Sequence, residues 1–290
     1  MKINRLSTNE WIERIVLALL FITIGSFIMI VFNPWRWEPM LGRVDDYLAK
    51  IGSSILLLLV ALLARRSKRF EKYWQIIFAM FIMSVVVFLD RIFGIYRISY
   101  LNIKDNTPFG YAFEKLNECF VVVSVIITFT FLSGGNLGSI YIQKGNLRLG
   151  LIIGLTTFSL AAAGSIPMAN LLFKAKDLSL TRIIPWIPWL LSLALANGAI
   201  EELWFRGLFL RKLQPFFGKF ISIFLIAIVF TLLHGLATYT SNNAIFLAAV
   251  FPLALAWGYV MQKTDSIWGS ILFHAGMDLP IFLGYLSNMS

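Results

Sequence analysis

Apolar residues lie along this chain in long uninterrupted runs, and polar residues are gathered into the short stretches between them. The first run goes from about Trp11 to Phe32. At about 22 residues it is long enough to cross a hydrocarbon core ~30 Å thick. Further runs occupy about 47–64, 73–94, 116–133, 148–172, 184–205, 219–238, 243–262 and 266–286. The pattern predicts an all-α fold, a polytopic transmembrane bundle of about 8–9 helices. The connector 91–115 is the least sharply patterned part, and 171–187 reads as a polar loop or an interfacial piece. Asn33-Pro34 ends the first helix, and Trp35 and Trp37 fall where an interfacial aromatic belt is expected. Glu10 and Glu13 interrupt the basic segment that a cleavable signal peptide needs, and no small-residue cleavage site follows. The first run therefore reads as a retained span. The chain has no internal repeat, and residues 1–180 read as accessory transmembrane helices beside a core at 181–290, in one integrated membrane domain.

Composition sharpens this picture. The chain is 59% apolar and 14% charged, with a mean hydropathy of +0.79. A soluble domain is about 45–50% apolar and about 25% charged. An ordinary cytosolic enzyme, a disordered chain and a disulfide-stapled secreted domain are excluded, because a soluble fold of this size has nowhere to hide so much apolar surface. The single cysteine, Cys119, has no partner for an internal disulfide and reads as a small core residue. The net charge of +10 reads as basic loops facing the anionic lipid bilayer. The basic residues form no single stripe, which argues against a nucleic-acid partner. With the N-terminus inside, 15 Lys and Arg fall on the inner side and 10 on the outer, and the densest cluster, Arg65 to Lys72, is inside. A cytoplasmic N-terminus is expected, and a chain without targeting extensions fits a prokaryotic cytoplasmic membrane.

The informative residues are those that interrupt the runs. Glu201, Glu202 and Arg206 sit at the end of run 184–205, and Asp278 lies within the last run. The only two histidines, His234 and His274, also lie in runs. Each charged group near the bilayer centre costs about 2.5–3.5 kcal/mol, so four unpaired ones would cost roughly 10–14 kcal/mol. That rivals the stability of a whole domain. These groups must be shallow, mutually paired, or lining a wet cavity. Glu202 and Arg206 are four apart and share a helix face, whereas Glu201 points about 100° away. His274 and Asp278 are four apart, as are Phe230 and His234. An Asp beside a His fixes its tautomer and raises its basicity. The bland alternatives are a neutralised Glu–Arg pair near the interface and histidines that only join helices by hydrogen bonds. Concentration favours a site, since all these residues fall within 201–278 and the other runs hold nearly no charge.

Three motifs carry a resemblance. Glu201-Glu202-Leu203-Trp204-Phe205-Arg206 matches EExxxR, Phe230-Thr231-Leu232-Leu233-His234 matches FxxxH, and His274-Ala275-Gly276-Met277-Asp278 matches HxxxN with Asp in the last place. In this order on apolar helices they resemble the CPBP family, the CAAX prenyl protease and bacteriocin-processing (Abi) intramembrane proteases, over about residues 184–286. The resemblance implies a multi-pass endopeptidase with a cytosol-facing cavity in the membrane. Glu201 and His234 would activate a water, His274 and Asp278 would form the oxyanion site, and Glu202, Arg206 and Phe230 would support them. An ionised Asp has no N–H to donate to an oxyanion, so Asp278 must be protonated, orient His274, or help bind a cation. No cofactor is expected. A Zn²⁺ ion held by Glu201, His234, His274 and Asp278 is the alternative, although no HExxH helix is present.

The expected function is an intramembrane endopeptidase acting on a membrane-associated protein or peptide. Two other readings stand beside it. One is a non-catalytic immunity or scaffold protein on the same fold. The other is a proton-coupled transporter, which calls for inverted repeats that the chain does not display.

Overall fold

The computed structural model describes residues 7–32, 42–101, 103–104, 106–238, 240 and 242–289. Among them there is no strand. Helix α1, Thr8–Val31, starts at a reciprocal cap in which Ser7 and Glu10 satisfy each other's backbone N–H groups. Helix α2, Arg43–Arg66, has Asp45 and Asp46 in its first turn and Arg65 and Arg66 in its last, which suits its dipole. A 3₁₀ turn, Glu71–Tyr73, leads into α3, Trp74–Leu101. Helix α4, Pro108–Leu132, starts where Thr107 Oγ1 accepts the Gly110 N–H at 3.0 Å and Pro108 takes the first helical position. Helix α5 is Leu147–Phe173, capped by Asn146, and a short α6, Leu180–Ile183, precedes α7, Ile187–Glu201. A π-helical segment, Glu202–Gly207, joins α7 to α8, Leu208–His234, and α9, Asn243–Thr264, and α10, Trp268–Ser287, complete the bundle. Trp35 and Trp37 lie outside the described residues.

Among the described residues, eight helical stretches are long and apolar enough to cross a membrane. One of them, Leu180–His234, has 55 residues, roughly 80 Å of helix, far more than a single crossing uses. Gly218 breaks it, with φ 71° and ψ −179°, a backbone conformation that residues with side chains rarely adopt. The expected runs 184–205 and 219–238 therefore lie on either side of a sharp corner within one stretch.

Two expectations are corrected by the structure. Helix α3 runs on to Leu101, and α4 starts at Pro108, well before 116. Hydropathy ends a helix where polar residues enter, but here those residues are inside the helix. Lys115 donates to Glu118 at 2.5 Å, and Lys50 to Asp46 at 2.6 Å, with the latter two side chains each only 3% exposed. Charge at spacings of three and four neutralises itself on one helix face. The N-terminal helices thus hold buried ion pairs where the runs suggested loop residues. Cys119 is half-buried and packs against the core.

The core is shared between the halves. Phe21 of α1 meets Phe209 of α8 edge-on at 5.1 Å, and α4 packs against α7. The tightest pair is α5 with α10, where glycines allow the backbones to touch. A methyl group on Gly269 would lie 2.6 Å from the Gly150 carbonyl oxygen, and one on Gly276 would lie 2.6 Å from the Phe158 Cα. Large apolar side chains such as Leu160, Leu171 and Phe220 stand out on the exterior, as lipid-facing positions do.

This packing generates a test. Gly269→Ala should cost about 1–3 kcal/mol, because the new methyl meets backbone that cannot move aside. Gly52→Ala on α2, with nothing within 4 Å, should be neutral or gain up to about 1 kcal/mol. Unfolding of the two variants in detergent micelles compares them, and equal responses would contradict the close α5–α10 approach.

Candidate active site

Three helical elements and one irregularity build the site. Glu201 is the last residue of α7, and Glu202 and Arg206 lie in the π-helical segment that follows. A π turn inserts an extra residue and shifts the register of the side chains after it, a device concentrated at functional sites. Two consecutive carboxylates at its start reach opposite edges of one imidazole. His274 Nδ1 lies 2.7 Å from Glu202 Oε1, and its Nε2 lies 3.3 Å from Glu201 Oε2. The approach of α7 to α10 depends on Gly198, where a methyl would sit 3.0 Å from the Ile271 carbonyl oxygen.

Glu202 is fully enclosed. Its Oε1 accepts from Arg206 Nη1 at 2.7 Å as well as facing His274, and its Oε2 accepts from the Ser270 hydroxyl. Arg206 is 1% exposed, donates a second bond to the Ala254 carbonyl, and lies over the rings of Phe230 at 4.5 Å and Trp257 at 5.2 Å. The buried guanidinium is held by a carboxylate and by two ring quadrupoles, while its Nε has no hydrogen-bond partner. Trp257 stacks on His274 with centroids 3.8 Å apart and rings parallel within 1°. His274 is thus held by Glu202 at one edge and by an indole on its face.

Glu201 is the point of convergence. His234 Nε2 is 4.0 Å from Glu201 Oε2, and His234 Nδ1 faces the Phe230 carbonyl at 2.8 Å. Phe230 lies against the His234 ring, with centroids 4.3 Å apart. Glu201 Oε2 is buried and has no hydrogen-bond partner, though His274 Nε2 stands within ion-pair distance at 3.3 Å. The other oxygen, Oε1, accepts from Asn197 Nδ2 at 3.2 Å. The same Asn197 amide donates to Asp278 Oδ2 at 3.0 Å, and Asp278 Oδ1 is 3.7 Å from His274 Nε2. Facing two carboxylates, Asn197 presents its NH₂, which has one hydrogen for each.

The structure therefore brings together Glu201, Glu202, Arg206, Phe230, His234, His274 and Asp278. It also adds residues that the motifs omit. Asn197 is four before Glu201 and Ser270 four before His274, so the rule that paired Glu202 with Arg206 was available for both. Trp257 carried no such signal, because a tryptophan in an apolar run looks like any other core residue. Metal fit is a separate matter. Among the described residues no group of three or more His, Cys, Asp or Glu side chains is placed to hold a metal ion. The four residues named for Zn²⁺ do not make a formed ligand set, and the chemistry below uses the chain's own groups.

Residues 183–280, which include all of these side chains, match the family model described as type II CAAX prenyl endopeptidase, Rce1-like. The match covers about a third of the chain. No curated protein and no solved structure matches it.

The Glu202–Arg206 pair gives a direct prediction. Removing one member of a buried pair leaves the other uncompensated, at a cost of about 3–5 kcal/mol. Arg206→Met should lose that much in reversible unfolding in micelles. An exposed pair such as Lys72 with Glu13, at 2.7 Å, should lose under about 1 kcal/mol for Lys72→Met. A loss as small for Arg206→Met would show that the pair is hydrated.

Proposed function

We propose that this chain, whose residues 183–280 match the Rce1-like type II CAAX prenyl endopeptidase model, is an intramembrane endopeptidase using a water activated by Glu201 and His234. The observation that carries the reading is Glu201 Oε2, buried, without a hydrogen bond, and flanked by two imidazole Nε2 atoms at 3.3 and 4.0 Å. A gap of 4.0 Å is spanned by one water at about 2.8 Å from each atom. Glu201 takes a proton from that water as it attacks the peptide carbonyl carbon, and later delivers it to the leaving amine nitrogen.

The negative charge then falls on the carbonyl oxygen. His274 is the principal donor to it. Its Nδ1–H is committed to Glu202, and a proton on Nε2 is directed into the space beside Glu201 and Asp278. A donor fixed in place before reaction costs no reorganisation in the transition state. Asp278 acts as a positioning residue, accepting from Asn197 and balancing the charge on His274. Asn197 spends its two amide hydrogens on Glu201 Oε1 and Asp278 Oδ2 and so holds both carboxylates in place.

The substrate is a membrane-associated protein or peptide, for which a prenylated C-terminal CAAX segment is the natural probe, given the family. The site faces the cytosol and the N-terminus lies on the same side, with residues 1–180 serving as accessory helices around the core.

Two measurements test this. Cleavage of a farnesylated, internally quenched CAAX peptide by the protein in micelles should fall about 10²–10⁴-fold in Glu201→Ala and His234→Ala, with circular dichroism unchanged. An unchanged rate in folded Glu201→Ala would remove Glu201 from the chemistry. Exposure to a zinc chelator should leave the wild-type rate unaltered. Loss on chelation with recovery on adding Zn²⁺ would replace the glutamate mechanism with a metal-dependent one.

A further inference from the structure

Away from Glu201, a cavity of about 110 Å³ lies between the first turns of α3, the end of α4 with the turn after it, and α8. Trp74, Gln75, Thr130, Ser139, Arg211 and Lys212 are among its lining residues, and no acidic residue lines it. A water takes about 30 Å³ in the liquid, so the space suits a polar group a few waters in size.

Its cations are under-compensated. The Lys212 ammonium donates to the Leu208 carbonyl at 2.6 Å, and among the described residues no carboxylate reaches it. An ammonium has three hydrogens, so two remain for other acceptors. Its neighbour Arg211 gives Nη2 to Asp265 Oδ1 at 2.5 Å and lies over the Tyr141 ring at 4.3 Å. The Arg211 Nε is buried and has no hydrogen-bond partner. Of two adjacent cations beside a polar recess, only Arg211 thus has a carboxylate partner among the described residues. Lys212 is partly buried and has no counter-charge from the described residues, whereas the Arg211–Asp265 pair is partly open to water.

The surroundings point to the kind of anion. Trp74 and Gln75 directly follow the cluster Arg65, Arg66, Lys68, Arg69 and Lys72. The Arg65 guanidinium lies 4.8 Å over the Trp74 ring, on the cavity's rim. Basic pockets between transmembrane helices, beside a polybasic stretch, are where anionic head groups bind.

We propose that this recess binds a phosphate group, held by the Lys212 ammonium and the Arg211 guanidinium, from an anionic lipid head group or from free phosphate. The proposal is independent of the proteolytic reading, since none of these residues belongs to the Glu201 centre.

Titration of the full-length protein in zwitterionic detergent, read by thermal unfolding and native mass spectrometry, tests it with three probes: dioleoyl phosphatidylglycerol, dioleoyl phosphatidylcholine and inorganic phosphate. Phosphatidylglycerol should raise the unfolding temperature and remain bound, and phosphatidylcholine should do neither. Lys212→Met should weaken this binding by about tenfold or more, the worth of a charge-assisted hydrogen bond, whereas Lys212→Arg should retain it. Arg211→Gln serves as the second variant should Lys212→Met unfold, and should weaken binding likewise. Stabilisation by inorganic phosphate to the same degree, with the same loss in Lys212→Met, would support the site and assign it to free phosphate. Equal binding of phosphatidylglycerol by the wild type and both charge-removing variants, or no binding of any probe, would overturn the proposal.

Discussion

One buried carboxylate organises this molecule. Glu202 has no contact with solvent, yet it accepts from a guanidinium and a hydroxyl and faces an imidazole nitrogen, and these come from two separate helical elements. An ionised group without partners would be too costly at that depth, whereas a fully satisfied one fixes its neighbours in a single arrangement. Through Ser270 and His274 it ties the π-helical segment to α10. Through Arg206, which lies over both, it orders the edge-to-face rings of Phe230 and Trp257 that form the site's wall. The orientation of His274, and with it the direction of its Nε2 toward Glu201, follows from this network.

Backbone packing sets the heights at which these groups meet. α10 is pressed against α5 at Gly150 and Gly269 and against α7 near Gly198. In a membrane, where apolar contact with lipid is as good as contact with protein, small residues are what allow helices to approach so closely. A bulkier interface would lengthen the 3.3 Å separation between His274 and Glu201. The site thus depends on Gly198 and Gly269, within a helical turn or two of Glu201 and His274, and on the distant Gly150.

Much of this was legible in the sequence, and the reasons are local. A long apolar run means a helix in lipid, so the bundle and the runs followed from hydropathy alone. Glu202 and Arg206 four apart, and His274 with Asp278 four apart, announced shared faces, and the structure does place these side chains near one another. What stayed hidden depended on long-range geometry. No local pattern shows that 202–207 winds as a π helix, or that two glutamates pointing about 100° apart take opposite edges of His274. Asp278 seemed the natural partner for His274 because it is close in sequence, whereas Glu202, from another element, sits on Nδ1. The Asp46–Lys50 and Lys115–Glu118 pairs were hidden for the opposite reason, since self-neutralised charge inside a helix looks like the end of a run.

The central claim is that Glu202 directs His274 and so makes the Glu201 centre competent. The most direct measurement is the kcat and KM of Glu202→Gln on a farnesylated CAAX peptide, with folding checked by circular dichroism. An amide keeps the shape but replaces an acceptor facing His274 Nδ1 with a weaker, neutral one. The account predicts a fall in kcat of about a hundredfold, with KM nearly unchanged, as for loss of an interaction made only in the transition state. A folded Glu202→Gln protein with wild-type kcat would contradict it.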